Sequence, residues 1–256
     1  MIALPTVLAQ AANRYFIAQM FLTRLPSPKN LKWSDKELAA STPYFPVVGI
    51  VVGLIASLAW LAGYAGWGPS IAAVFAVAAG ILATGAFHED GLADSADGIG
   101  GSFDIEKKLA IMRDSRVGTY GSVALILIIL AKIFALTQVA PASVPAFLIT
   151  AHVVARWSSL PLIYNNIYVR EQGTGKPFAA TVTIERLVTA SVFTLFCAVF
   201  CVQLKAIAVV LIAVITVLVS QWYLRRKLGG ITGDVLGAVN SITELLIYLA
   251  LTAKFL

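Results

Sequence analysis

Asp90, Asp94 and Asp97 stand at i, i+4 and i+7 inside the stretch FHEDGLADSADGIGGSFDIEKKLAIMRDSRVGTYG, residues 87–121. On a helix this spacing stacks three carboxylates along one face over two turns. Like charges so placed repel, and a divalent cation relieves the repulsion. Mg²⁺ takes oxygen ligands and commonly shares one or two carboxylates with the phosphates of a substrate, so the pattern points to magnesium-assisted phosphate chemistry. A solvated acidic loop is the plainer alternative, but it leaves unexplained why Gly91, Ala93 and Ala96 keep the surroundings small. Small residues let a bulky phosphorylated ligand approach the backbone. His88 and Glu89 adjoin the same face, and either could take a proton from an attacking hydroxyl. The residues leave the general base open among His88, Glu89, Asp97 and Glu244, and His88 joins the three aspartates as a catalytic candidate.

Past a glycine turn at Gly98, Gly100 and Gly101 come Lys107, Lys108, Arg113 and Arg116. Arginine presents a planar fork that matches phosphate bidentately, so the run Arg113, Asp114, Ser115, Arg116 suits a diphosphate or nucleotide beside the metal. Lys107 and Lys108 are accounted for by their place between apolar runs.

These residues must be positioned by a membrane bundle. The chain has 256 residues, 59% of them hydrophobic and 12% charged, too little polar surface to cover a water-soluble globule. It holds 19 Lys and Arg against 13 Asp and Glu, and eleven of those 32 charges fall within residues 87–121. A net charge of +6 would suit nucleic acid only if the basic residues formed a continuous face; they sit in short loops instead, so no nucleic-acid partner is expected. Apolar runs long enough to cross a bilayer lie near 43–64, 70–88, 118–139, 142–164, 187–203, 205–223 and 237–256. The expectation is an all-α, polytopic helical bundle of about seven transmembrane helices. The segment Leu4 to Leu22 carries Gln10, Asn13, Arg14 and Gln19, which suit an interfacial helix or an additional span. No fixed-period repeat or long linker divides residues 1–256, so a single membrane domain is expected. No removable signal peptide is evident.

Fourteen basic residues, among them Arg24, Lys36, Lys107, Arg116, Arg170, Lys176, Arg186 and Arg225, fall on one side of this arrangement. Because cytoplasmic loops retain Lys and Arg, the acidic stretch is expected to face the cytoplasm from the inner membrane. Ionisable residues within spans cost several kcal/mol and mark function. His152 and Arg156 lie one turn apart in the fourth span, and Glu244 lies deep in the last, preceded on one face by Asp234, Gly237, Ala238 and Ser241. A polar cavity entered from the cytoplasm would accommodate Arg156 and Glu244. Lys132, about two turns from the outer end of its span, is expected to snorkel outward. Gly49 and Gly53 are read as a helix-packing pair, and Cys197 and Cys201 as small hydrophobes.

Taken together, FLTRLP at 21–26, YFPVVGIVVG at 44–53, FHEDGLADSADGIGG, IMRDSRVGTYG and GGITGDVLGAVNSITELL resemble the cobalamin synthase family, the adenosylcobinamide-GDP ribazoletransferases. The likeness covers nearly the whole chain. It implies a Mg²⁺-dependent integral membrane enzyme in which a hydroxyl of α-ribazole, or of its 5′-phosphate, attacks the cobinamide-bound phosphorus of adenosylcobinamide-GDP and GMP leaves. The family's aspartate motif maps onto Asp90, Asp94 and Asp97, its arginine–aspartate–serine run onto Arg113, Asp114 and Ser115, and its late glycine-rich element onto Thr232, Gly233, Asp234 and Glu244. Arg24, Arg116 and Arg156 join Arg113, Asp114, Ser115, Asp234 and Glu244 as substrate-binding candidates. Glu89 and Asn240 are not counted as essential ligands. The implied partners are the two small-molecule substrates and the lipid bilayer, with a homo-oligomer or other nucleotide-loop enzymes as protein partners. A CDP-alcohol phosphotransferase would use similar metal logic, but its DGxxAR motif is not reproduced, since Asp90-Gly91 is followed by Leu-Ala-Asp. A transporter is a further alternative, and the repeated halves typical of transporters are not visible.

Overall fold

The computed structural model describes residues 4–170 and 182–253, excepting the side chains of residues 4–6. Lys176, one of the basic residues used to orient the chain, lies outside them. Eleven α-helices account for nearly all of the described chain: α1 Leu4–Leu22, α2 Asp35–Ala40, α3 Phe45–Trp67, α4 Pro69–Thr84, α5 Phe87–Gly101, α6 Ile105–Ile111, α7 Thr119–Thr137, α8 Val144–Asn165, α9 Ile184–Val202, α10 Ala206–Leu228 and α11 Gly233–Thr252. The architecture is all-α and polytopic, as the apolar runs require.

Five stretches are long and apolar enough to cross a membrane, and one of these is the 45-residue Ile184–Leu228. A straight helix of that length would span about 67 Å at 1.5 Å per residue, far more than the roughly 30 Å hydrocarbon core. The chain instead breaks at Gln203, whose φ is 51°, and runs on as α9 and α10. Thr194 and Ala198 line the same crevice as Ala213 and Val209, the pattern of an antiparallel pair. With that stretch divided into α9 and α10, six helices are candidates to cross a membrane by length and composition, and the bent pair α4–α5 passes the same test only when its two helices are taken together. α1 is not among the spanning helices. It packs on α2 and α3, and Arg14 forks onto Glu37 at 3.0 and 3.4 Å.

The second apolar run does not continue as one helix into the acidic motif. It turns through 88° between α4 and α5, because Gly85 (φ 65°) and Ala86 (φ 58°) both take the left-handed conformation. Asp90 thereby falls in the first turn of a new helix, where the positive end of the helix dipole favours a carboxylate.

α8 lies at the centre of the bundle, and α3 crosses it closely at the glycine pair. A methyl group on Gly49 would come within 2.6 Å of the His152 carbonyl oxygen, and one on Gly53 within 2.6 Å of the Ile149 Cα. The helix-packing reading of that pair holds. At the other crossing that matters, Gly91 of α5 meets the backbone of Asp234 in α11. The motif helix is thus pressed directly onto the first turn of the last span.

Candidate functional site

The acidic face of α5 grades from open to closed along its length: Asp90 is exposed, Asp94 half-buried and Asp97 buried. Asp97 is turned toward the start of α7, where its two carboxylate oxygens accept the backbone N–H groups of Gly118 at 2.7 Å and Gly121 at 2.9 Å. A Cβ at either glycine would sit 2.4 Å from a carboxylate oxygen of Asp97, so this contact explains both glycines of RVGTYG. Asp97 acts as a cap borrowed from another helix, satisfying N–H groups that α7 cannot satisfy itself.

Asp90 and Asp94 make no hydrogen bond or ion pair among the described residues. Asp94 lies in the electrostatic field of Asp90, Asp234 and Arg170, and Asp234 feels Asp90 and Arg170 in turn. Arg170 reaches this group through a short backbone pairing. After α8 ends, Val169 donates to the Ile231 carbonyl at 3.0 Å and Ile231 donates to the Ile167 carbonyl at 2.9 Å. Gly230 has no room for a side chain beside the Ile167 carbonyl. The pairing sets Arg170 against Asp234, with Nη2 and Oδ2 2.5 Å apart. Three carboxylates, Asp90, Asp94 and Asp234, thus act on one another around a single guanidinium that is paired with Asp234, an excess of acidic groups over basic ones.

That charge bears on magnesium. Among the described residues no three His, Cys, Asp or Glu side chains gather closely enough to hold a metal ion on their own, so Asp90, Asp94 and Asp97 do not form a ready-made cage. The free carboxylates of Asp90 and Asp94, one turn apart and open to solvent, do fit an ion that draws its remaining ligands from water and substrate phosphates.

The basic candidates lie on segments that adjoin α5, whose Asp90 and Asp94 form an acidic mouth with Asp234. Arg113, Ser115 and Arg116 are exposed on the loop between α6 and α7 that ends at Gly118. Arg116 grips Asp114 at 2.6 to 3.1 Å, and these bonds hold the Asp114 carboxyl down at about 2. Arg113 makes no side-chain bond among the described residues. Arg24 is exposed beside the bend, its backbone N–H bonded to the Ala83 carbonyl at 2.8 Å and its side chain against Gly85. Lys108, assigned from sequence only to a basic loop, is buried and donates to the Lys227 carbonyl at 3.0 Å, closing the end of α10.

Arg156 and Glu244 belong to a different place. Ten residues separate Asp234 from Glu244 along α11, about 15 Å, and Glu244 is held in a buried polar network. Its Oε2 is 3.2 Å from Lys132 Nζ and 3.6 Å from His152 Nδ1, while Tyr248 donates to its Oε1 at 3.1 Å. Lys132 also lies 3.6 Å from Glu89, and Arg156 donates to the His152 carbonyl at 3.0 Å. Lys132 is 2% exposed, so the outward snorkelling expected of it does not occur; two buried carboxylates hold its ammonium inside. Its position among apolar residues could have suggested this, because a lysine deep in a span needs a counter-charge. His88 borders the network and faces a narrow crevice of about 30 Å³, walled by Phe21, Phe45 and Phe87 and floored by Arg156 and Asn240. That space takes a water molecule or two.

The sequence that builds this bundle is similar to those of known proteins. Residues 14–252 match the family model described as cobalamin-5-phosphate synthase. Among similar proteins, an adenosylcobinamide-GDP ribazoletransferase of Shewanella amazonensis is 40% identical over 93% of this chain and 94% of its own. Proteins of the same name from Shewanella piezotolerans (36%, over 94% of this chain and 95% of its own) and Vibrio parahaemolyticus (37%, over 96% of each) are similar across nearly their whole lengths. No solved structure matches the chain. With nearly the entire bundle and every motif helix inside the matched region, the chain belongs to the cobalamin-5-phosphate synthase family.

Proposed function

We propose that this protein is an adenosylcobinamide-GDP ribazoletransferase of the inner membrane, with its acidic mouth facing the cytoplasm. The observation that carries the reading is the full-length likeness to relatives of that name, and a pair of unpartnered carboxylates on the motif helix, exposed Asp90 and half-buried Asp94, supports it. In the reaction, a hydroxyl oxygen of α-ribazole, or of its 5′-phosphate, forms a bond to the cobinamide-bound phosphorus. The bond from that phosphorus to the bridging oxygen breaks, GMP departs with the electron pair, and the hydroxyl proton passes to a base.

The residues divide this work by position. Asp90 and Asp94 would hold a magnesium ion shared with the diphosphate, which when bound offsets the charge gathering on the departing GMP. Arg113 stands on the loop fixed by Asp97 and would bind the nucleotide phosphates bidentately, while Arg116, its Nε and Nη2 held by Asp114, would add positive charge beside it. Arg24 covers the bend that starts the motif helix and would add a further positive charge at the mouth. Asp97 orients that loop through Gly118 and Gly121. Among the four base candidates, Asp97 is committed to the Gly118 and Gly121 N–H groups and Glu244 to Lys132 and Tyr248, so His88 and Glu89, the two residues that precede Asp90 on α5, are the bases to test.

The test is incubation of purified protein in lipid nanodiscs with adenosylcobinamide-GDP and α-ribazole, with and without Mg²⁺. Equimolar GMP and a nucleotide-loop corrinoid, dependent on Mg²⁺, are expected. An intact, folded preparation that releases no GMP would refute the assignment.

A further inference from the structure

We propose that Arg170 is a substrate-gripping residue, stored on Asp234 in the free protein and transferred to the diphosphate of the incoming nucleotide. The inference rests on the ribazoletransferase reading and adds a residue that the sequence motifs do not contain. Three observations support it. The pairing of 167–169 with Ile231 fixes the backbone immediately before Arg170, so its side chain is delivered to one place. That place is the acidic mouth, where its charge acts on both Asp94 and Asp234. The side chain is only 9% exposed, yet its Nε has no hydrogen-bond partner among the described residues. A guanidinium fork has five donors in fixed geometry, and a single carboxylate held through Nη2 leaves the fork incompletely used.

An ion pair between Arg170 and Asp234 alone would account for the burial but not for the location. Asp234 adjoins Asp90 and Asp94 in the same electrostatic cluster, so its carboxylate would be shared between Arg170 and a divalent cation held there, and its hold on Arg170 would be weaker with the cation bound. The diphosphate brings oxygens that match the fork. Partner exchange then couples cation and nucleotide binding: each makes the other's site available.

The probe is GDP with Mg²⁺, its affinity measured on the full chain in phosphatidylcholine nanodiscs, alongside steady-state kinetics. Arg170→Ala is expected to weaken GDP binding 10- to 100-fold, about 1.4–2.8 kcal/mol, and to raise KM for adenosylcobinamide-GDP in parallel while KM for α-ribazole stays unchanged. Arg170→Lys, which keeps the charge but loses the fork, should recover part of the affinity. The double variant Arg170→Ala/Asp234→Asn separates binding from charge balance, because it removes the carboxylate left unpaired by the single change. Affinity that stays low in the double variant supports the proposal. Recovery to the wild-type value, unchanged GDP affinity in Arg170→Ala, or no GDP binding by the wild type would overturn it. Wild-type protein that binds GDP but makes no corrinoid product would sink the ribazoletransferase reading alone, with the Arg170 assignment still decided by the GDP affinities.

Discussion

Replacing Asp97 distinguishes a capping carboxylate from a metal ligand. In Asp97→Ala, the N–H groups of Gly118 and Gly121 lose both acceptors. Hydrogen bonds to charged groups contribute about 1.5–3 kcal/mol each, so removing two at a buried site costs about 3–6 kcal/mol. That is a large share of the roughly 5–15 kcal/mol by which folded proteins are stable. For a chain of this size about 1 kcal/mol corresponds to 2–4 °C, so the melting temperature in detergent should fall by roughly 6–24 °C. Asp97→Asn keeps one acceptor and turns an amide N–H₂ against the second donor, so its loss should be intermediate. Activity should fall in both because the loop bearing Arg113 and Arg116 is no longer held, and added Mg²⁺ should not restore it. An Asp97→Ala protein that melts within about 2 °C of wild type, yet needs far more Mg²⁺ for turnover, would refute the capping argument and return Asp97 to the metal.

Other perturbations should separate in the same way. Asp90→Asn removes an exposed, unpartnered charge, so the protein should melt like wild type while turnover drops at least 100-fold, a loss of roughly 2.7 kcal/mol of transition-state stabilisation; full activity at saturating Mg²⁺ would exclude Asp90 from the site. Lys132→Met strands Glu89 and Glu244 in the bundle and should cost about 3–5 kcal/mol, with Glu244→Gln in the same chain restoring part of it; thermal melting reads both. Ala86→Gly relieves a left-handed alanine at the bend and should stabilise by about 1 kcal/mol, with no change in KM; a destabilised variant would show that the methyl group packs usefully. Asp114 titrates near 2 against an ordinary 3.8, so whatever it adds is present above 3.8 and lost only as pH falls toward 2. Between pH 5 and 8 the rate profile should therefore match in wild type and Asp114→Asn.

Much of this architecture could be read from the chain because bilayer thickness and hydrocarbon solvation act on composition directly. The spans, the tight crossing at Gly49 and Gly53 and the acidic helix all follow from local pattern. The break at Gly85–Ala86 did not, since an alanine with positive φ has no sequence signature and the apolar run continues up to it. Asp97 shares its spacing with Asp90 and Asp94, and only the approach of α7, through two glycines 21 and 24 residues further on, gives it a different task. In the sequence Arg170 is one of many basic loop residues; its placement depends on a backbone pairing between segments more than 60 residues apart. The polar cavity expected around Arg156 and Glu244 is a closed network instead, Glu244 being held by Lys132, His152 and Tyr248; the inward direction of Lys132 depends on carboxylates from two other helices, which the pattern of a single helix does not reveal.

The shared polar network has a consequence for biogenesis. Glu89, Lys132, His152, Arg156 and Glu244 come from α5, α7, α8 and α11, so α7, α8 and α11 would each enter the lipid with an uncompensated ionisable group if inserted separately. Only when these helices meet do opposite charges cancel. Early segments therefore have reason to wait at the translocation machinery, or beside one another, until the last hydrophobic stretch emerges from the ribosome; a chain truncated before α11 should be recognised by quality-control proteases as unfinished.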